Sequence, residues 1–335
     1  MTPGLAKGGW QRLWKDYGFV ATLGAVIGLA WLFPEPAASG GILRSEVTTK
    51  LGVAVIFFVQ GLVLPTNQLT GGLQPWRLHA FTLGWNYLLF PLLTGIILLL
   101  ATPILPPAAV PGFWFLAILP TTVSSAISLT ISSGGHSPPA IVSCVTSNLL
   151  AVPIVPTLCV VFFQSAGGAD VPLGPLLGKL ALLIALPLAI GQAARQVSPA
   201  LVALAKPRAR ATSNGIIFFM VHVAFANSIQ SGFWDDQNPA VVLLVLAVTL
   251  LLMAAAALAI WVSSGWLKLA PATRLAAFYC ASQKSLATGL PLATSIFATL
   301  ETTVPLSVIL LPLLCYHPCQ LILGAALAGR WARHP

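Results

Sequence analysis

The residues best placed to do chemistry sit in one apolar stretch, Ala276 to Phe297, which reads AAFYCASQKSLATGLPLATSIF. It is long and apolar enough to cross a bilayer. Its middle, Cys280-Ala281-Ser282-Gln283-Lys284-Ser285, is polar and carries a charge, and Gly289 and Pro291 follow. A lysine at the membrane midplane costs about 2.5–3.5 kcal/mol on insertion scales when it faces lipid, so it must face a partner, a wet cavity or a ligand. Roughly eight residues separate Lys284 from the nearer end of the stretch, about 12 Å at helical rise. That is more than a lysine stem can snorkel. An ammonium held there can bind carbonyls of an unwound helix, favour an anionic substrate, or exchange a proton.

A second polar cluster lies in Leu119-Pro120-Thr121-Thr122-Val123-Ser124-Ser125-Ala126-Ile127-Ser128. Pro120 removes a backbone donor in mid-membrane, and hydroxyl side chains follow where freed backbone groups need partners. Small hydroxyl residues at a helix–helix contact are the bland alternative for any one of them. A serine–lysine hydrolase is the catalytic alternative. Ser285 adjoins Lys284 but points elsewhere on a helix, which leaves Ser282 and Ser124, and the paired clusters have no role in such a reaction. The expectation is therefore not an enzyme.

Stepping outward to the elements that hold these residues, the chain reads as an all-α integral membrane protein. Apolar residues make up 57% of its 335 residues and charged residues 7%, against roughly 25% charged in soluble domains. At about 30–33 residues per span and loop, this gives roughly ten spans in a single membrane domain. They fall at about 17–33, 47–65, 78–101, 113–132, 138–164, 176–196, 212–231, 240–263, 272–297 and 302–328. No nucleotide-binding loop is present, and no soluble domain has room. The net charge of +9 is scattered over short loops and records topology rather than nucleic-acid binding. The five cysteines, Cys144, Cys159, Cys280, Cys315 and Cys319, all fall in apolar segments and read as free thiols. His317 lies between Cys315 and Cys319 in sequence but on another helical face, so packing rather than metal binding is expected.

Lys7, Arg12, Lys15, Arg77, Arg195, Lys206, Arg208, Arg210, Lys268, Arg274, Arg330 and Arg333 fall on one side of these spans. Arg44, Lys50, Glu35, Glu46, Asp170, Asp235, Asp236 and Glu301 fall on the other. Lysine and arginine bias places the first side, and both termini, in the cytoplasm of a multi-pass cell-membrane protein with a retained first helix. The connection from Arg195 to Ala211 divides the chain into two halves of five spans, about 17–164 and 176–328. An odd number of spans per half forces opposite orientations, the geometry of an inverted repeat. Pro111 precedes Ser125 by the same 14 residues that separate Pro271 from Ser285. Interrupted helices in matching positions of inverted halves point to a transport site at the midplane, here between spans 4 and 9. Asn86, Ser143, Thr146, Ser147, Asn148, Asn227 and Gln230 are further polar residues within spans. His222 and Gln60 would line a pathway or bond between helices.

At these residues the chain resembles the bile acid:sodium symporter superfamily, in its divergent SBF-like branch. The resemblance runs from Phe57-Phe58-Val59-Gln60-Gly61-Leu62 through Leu119–Ala126 and Ser147-Asn148-Leu149-Leu150 to Gln283-Lys284-Ser285-Leu286-Ala287-Thr288-Gly289-Leu290-Pro291. It implies a panel of spans 1, 2, 6 and 7 and a core of spans 3–5 and 8–10, in which spans 4 and 9 unwind and cross. It also implies uptake of organic anions with sodium. Asn86, Ser125, Ser147, Asn148 and Gln283 match sodium-ligand positions in whole or part. Tyr279 stands where the family has a glutamate, and Lys284 where it has an asparagine. The carboxylate of the sodium site is thus missing and a fixed cation stands beside its place. At about 4–5 Å, two like charges repel by roughly 4 kcal/mol at an effective dielectric of 20.

The expected function is a secondary transporter of a small organic anion. Lys284 replaces at least one sodium ion, and a residual sodium ion or a proton is the coupling ion. Asn86, Thr121, Thr122, Ser124, Ser125, Ser147, Asn148, Tyr279, Ser282, Gln283, Lys284 and Ser285 are the expected substrate or ion site. The alternative is a membrane regulator of ion homeostasis that uses the same fold without transport.

Overall fold

The computed structural model describes residues 4–64, 72–165, 173–235, 240–300 and 302–333, with side chains from 18 onward except 163–165. Asp170, Asp236 and Glu301 lie outside these residues, as do the side chains of Lys7, Arg12 and Lys15. Every regular element among the described residues is helical. In chain order they are α1 (Gly4–Leu32), α2 (Ser45–Val63), α3 (Trp76–Ala101), α4 (Val110–Ala117), α5 (Ser124–Ser132), α6 (Ser137–Ser165), α7 (Leu173–Val197), α8 (Pro199–Ala205), α9 (Ala209–Gln230), α10 (Ala240–Ser264), α11 (Pro271–Ser282), α12 (Leu286–Phe297) and α13 (Leu306–Trp331).

Seven of these, α2, α3, α6, α7, α9, α10 and α13, are long and apolar enough to cross a membrane. The other three segments read as spans in the sequence are helical but differ in length. The apolar part of α1 covers Gly18–Leu32. The fourth and ninth segments are each broken in two, as α4 with α5 and α11 with α12. At the first break Pro120 has no N–H and restrains the residue before it, which disfavours continuing the helix there. At the second, Gln283 and Ser285 adopt extended backbone.

Two intact helices show a related adjustment. Trp85–Leu89 in α3 and Ala181–Ala185 in α7 form single π turns, directly ahead of Pro91 and Pro187. The wider turn takes up a proline ring that would strike the preceding turn of an α-helix. It also places Asn86 inside the molecule, fully buried.

Helices α1, α2, α7 and α9 pack on one another, while α13 packs on α4, α5 and α10, and α11 packs on α3, α5, α6 and α10. Between these groups, α12 rests on α2, α7 and α9, and α13 touches α9. The contact of α2 with α7 is close enough for backbone to meet backbone. Gly61 lies against the Leu188 carbonyl, and Gly191 against the Phe58 carbonyl. Gln192 Nε2 donates to the Gly61 carbonyl at 2.5 Å, and Arg195 donates to the Leu62 carbonyl at 3.2 Å. These bonds satisfy the free end of α2. Small residues allow such approach in membranes, where apolar burial does not drive helices together. Gly191→Val is expected to lower stability by about 3 kcal/mol or more, because the added carbons enter the neighbouring backbone. Gly178→Ala in the same helix meets nothing within 4 Å and should be neutral. Thermal midpoints of the two purified variants check this.

Candidate functional site

The two breaks meet. The Ser285 N–H donates to the Pro120 carbonyl at 2.9 Å, joining the residues where α4–α5 and α11–α12 are unwound. Each break frees main-chain groups, and those that are buried need partners.

At the first break the partners come from Lys284 in the second break and from α6. Lys284 Nζ donates to the carbonyls of Ala117 at 2.8 Å and Leu119 at 2.9 Å. The Thr121 N–H donates to Ser147 Oγ at 3.3 Å, and the Thr121 carbonyl accepts from Asn148 Nδ2 at 2.8 Å. The Thr122 carbonyl accepts from Cys144 Sγ at 3.3 Å.

At the second break the partners come chiefly from α13. Gln320 forms a two-point pair with the Lys284 backbone: its Oε1 accepts from the N–H at 2.6 Å and its Nε2 donates to the carbonyl at 2.8 Å. The Ser282 carbonyl accepts from the Tyr316 hydroxyl at 2.9 Å. Ser285 Oγ caps α12, accepting from the Thr288 N–H at 3.1 Å.

Lys284 is fully buried. Its third bond reaches the Asn86 carbonyl on the π turn of α3 at 3.3 Å, and its nitrogen stands 4.1 Å from the centre of the Phe90 ring. Three carbonyl acceptors match the three donors of an ammonium, and the ring face adds a cation–π contact. The ammonium therefore closes the first break from a position on the second. It bonds none of Ser124, Ser282 or Ser285.

The structure brings together most of the expected site residues. Ser147 Oγ accepts from Asn86 Nδ2 at 3.1 Å, and Tyr87 donates to the Ser147 carbonyl at 2.5 Å. Asn148 Oδ1 accepts from Thr288 Oγ1 at 2.6 Å, so Asn148 bonds both breaks. On the other side of the crossing, Ser125 Oγ bonds Thr122 Oγ1 and donates to Gln283 Oε1 at 3.2 Å. The five residual sodium-ligand candidates thus form two groups, Asn86 with Ser147 and Asn148, and Ser125 with Gln283.

Three expected site residues fall elsewhere. Ser124 is exposed, on the same face of α5 as Ser128 and Ile131. Ser282 contributes its carbonyl rather than its hydroxyl to the network around the break. The Tyr279 hydroxyl accepts from Ser133 Oγ at 2.9 Å and donates to the Gly324 carbonyl at 3.2 Å. Its ring belongs to an aromatic group with Phe278 and Trp331. A phenol is longer than a carboxylate, so its polar atom passes the place where a glutamate would end. His222 bonds the Val26 carbonyl at 3.4 Å, which is the helix–helix reading of that residue.

Gln320 and Phe90 were not among the residues singled out in the sequence. The signal for Gln320 was present: it is an amide within an otherwise apolar final span. Phe90 is one of 16 phenylalanines and nothing local distinguishes it.

Helical membrane proteins whose interrupted segments meet at a polar, hydrogen-bonded centre are built as secondary transporters are. This chain belongs to the SBF-like CPA transporter family, whose profile matches residues 17–333. It is 32% identical over 316 residues to "Uncharacterized protein PA2026" of Pseudomonas aeruginosa, covering 94% of this chain and 92% of that one. It is 29% identical over 320 residues to the sodium/bile acid cotransporter 7 of Rattus norvegicus (95% and 92%). It is 30% identical over 322 residues to the sodium/bile acid cotransporter 7 of Xenopus tropicalis (95% and 92%). The SBF-like branch expected from the motifs is therefore the family found, and the chain is a multi-span membrane protein of transporter type.

Proposed function

We propose that this protein is a secondary transporter of a small organic anion, and that the Lys284 ammonium stands in for at least one coupling cation at the crossing. The observation that carries this reading is the set of three main-chain carbonyls on Lys284 Nζ. Carbonyls of broken helices are the groups that coordinate coupling cations in such carriers, and here a covalently attached cation holds them. The sodium/bile acid names of two relatives agree with an organic-anion substrate. Asn86 Oδ1 and Thr121 Oγ1 are buried oxygens without a partner. Such oxygens are of the kind a residual sodium ion would take as ligands, and Lys284 would oppose that ion by charge. A proton is then the other coupling ion this reading admits.

The same reading assigns ten spans in two inverted halves. The mutual packing of α1, α2, α7 and α9 supports a panel, and the remaining helices form the core. Both termini lie in the cytoplasm by charge bias. The packing of α12 on α2, α7 and α9, with the Ser124–Ser128 face of α5 exposed, favours a state open toward the cytoplasm.

A thermal-shift screen of small organic acids, with and without sodium, followed by uptake of the hits into proteoliposomes, tests the proposal. Binding with uptake supports a carrier. Binding of no acid, or binding with no uptake by active reconstituted protein, would remove it in favour of a regulator.

A further inference from the structure

The Gln320 side chain can be oriented without ambiguity, and that orientation fixes the state of a neighbouring histidine. The Lys284 backbone N–H is a donor that cannot be turned round, so the Gln320 atom 2.6 Å from it is the amide oxygen. The amide nitrogen then faces the Lys284 carbonyl at 2.8 Å and His317 Nδ1, also at 2.8 Å. An amide nitrogen only donates, so His317 Nδ1 must present its lone pair and the ring proton sits on Nε2. His317 Nδ1 is 3.4 Å from the same Lys284 carbonyl. A proton on Nδ1 would face the amide N–H donor to donor, which pushes the Gln320 amide away, while the Lys284 carbonyl is within reach of the new N–H.

His317 also stands where α13 meets α1. Its ring meets Phe19 of α1 edge-on, with centroids 5.6 Å apart, and it is partly exposed. From α9 the charge that reaches it is that of Arg210. From the α11–α12 break it faces the Lys284 backbone carbonyl, whose side chain carries the buried ammonium. On its own helix Cys315 and Cys319 flank it in sequence, and α1 brings only the Phe19 ring.

We propose that His317 is a proton-binding positioning residue, acting through Gln320 on the unwound peptide of Lys284. With Nδ1 bare, Gln320 holds both polar groups of that peptide. With Nδ1 protonated, the pair opens, the Lys284 backbone is released, and the carbonyl cage around its ammonium loosens with it. Because His317 touches α1, its proton is exchanged where the two packed groups of helices meet. In the transport reading above, this makes His317 rather than Lys284 the residue that takes up and releases the coupled proton.

The test reads the backbone directly and needs no substrate, so it stands apart from the outcome of the uptake experiment. Hydrogen exchange is followed in the full-length protein in lipid nanodiscs, at about pH 7.5 and about pH 4, for peptides covering residues 281–288, and is corrected for intrinsic rate. Wild type is expected to lose protection there by about tenfold or more at the lower pH. His317→Asn, whose Oδ1 takes the place of the bare Nδ1 but cannot be protonated, is expected to keep its protection at both. Gln320→Leu is expected to lack protection at both; should that variant not fold, the His317→Asn comparison decides alone. Equal loss in wild type and His317→Asn, pH-independent protection in wild type, or full protection in folded Gln320→Leu would overturn the proposal.

Discussion

Lys284→Met is expected to cost about 3–5 kcal/mol of stability, the largest effect of any single substitution at the crossing. Methionine keeps much of the stem's volume but leaves the carbonyls of Asn86, Ala117 and Leu119 without a donor. Each buried carbonyl so orphaned costs about 1–3 kcal/mol. The π turn of α3 and the break after α4 lose their common anchor, so uptake should fall with stability. Thermal midpoints in detergent and proteoliposome uptake check both. Ser124→Ala provides the contrast: that hydroxyl is exposed, and the midpoint should stay where it is. A Lys284→Met protein as stable as wild type would show that the ammonium does not hold the break. Unchanged sodium-dependent uptake in Lys284→Ala would show that it does not stand in for a cation.

The second large effect is expected at Asn148. Its amide nitrogen bonds the Thr121 carbonyl at 2.8 Å, and its oxygen accepts from Thr288 at 2.6 Å. One side chain thus ties the first break to the first turn of α12. Asn148→Leu would leave the buried Thr121 carbonyl without this donor and the Thr288 hydroxyl with only its bond from Ser285, a loss of about 2–4 kcal/mol. The two breaks would then be joined by Lys284, the Ser285–Pro120 backbone bond and the Ser125–Gln283 bond. The check is a double-mutant comparison. Asn148→Leu and Lys284→Met should be non-additive, because both act on the same few residues between Ala117 and Thr122. Simple additivity would mean that the two side chains support separate structures.

Some of this was legible in the residues and some was not. Pro120 removes a main-chain donor wherever it is placed in a span, and Lys284 requires a partner wherever it is buried. The polar interruptions, and the need for something to answer the lysine, therefore follow from local covalent chemistry and solvation, whereas Pro153, Pro156, Pro312 and Pro318 sit inside continuous helices and show that proline alone does not decide where a helix breaks. The SBF-like family followed from the ordered motifs, with Gln283–Pro291 the most specific. The identity of the lysine's partners did not follow. They are backbone carbonyls, which every residue carries, and nothing in the one-dimensional pattern marks Asn86, Ala117 or Leu119 as the three that converge. The direction of Tyr279 was also hidden. A residue at a matching position can send its polar atom elsewhere when its side chain is longer, and the aromatic group around Trp331 draws it away.

The sequence by itself determined that this is an apolar, helical, membrane-crossing chain with two polar interruptions and one charge deep inside. Hydrophobicity, proline chemistry and the cost of burying an ammonium act at each residue regardless of its distant neighbours. Only the tertiary structure decided how the interruptions are repaired: Lys284 on the first break, Gln320 on the second, and Ser285 joined to Pro120. Such pairings depend on which hydrogen-bonding groups the packed helices bring within about 3 Å of one another. That is a property of the assembled bundle, set by residues far apart in the chain.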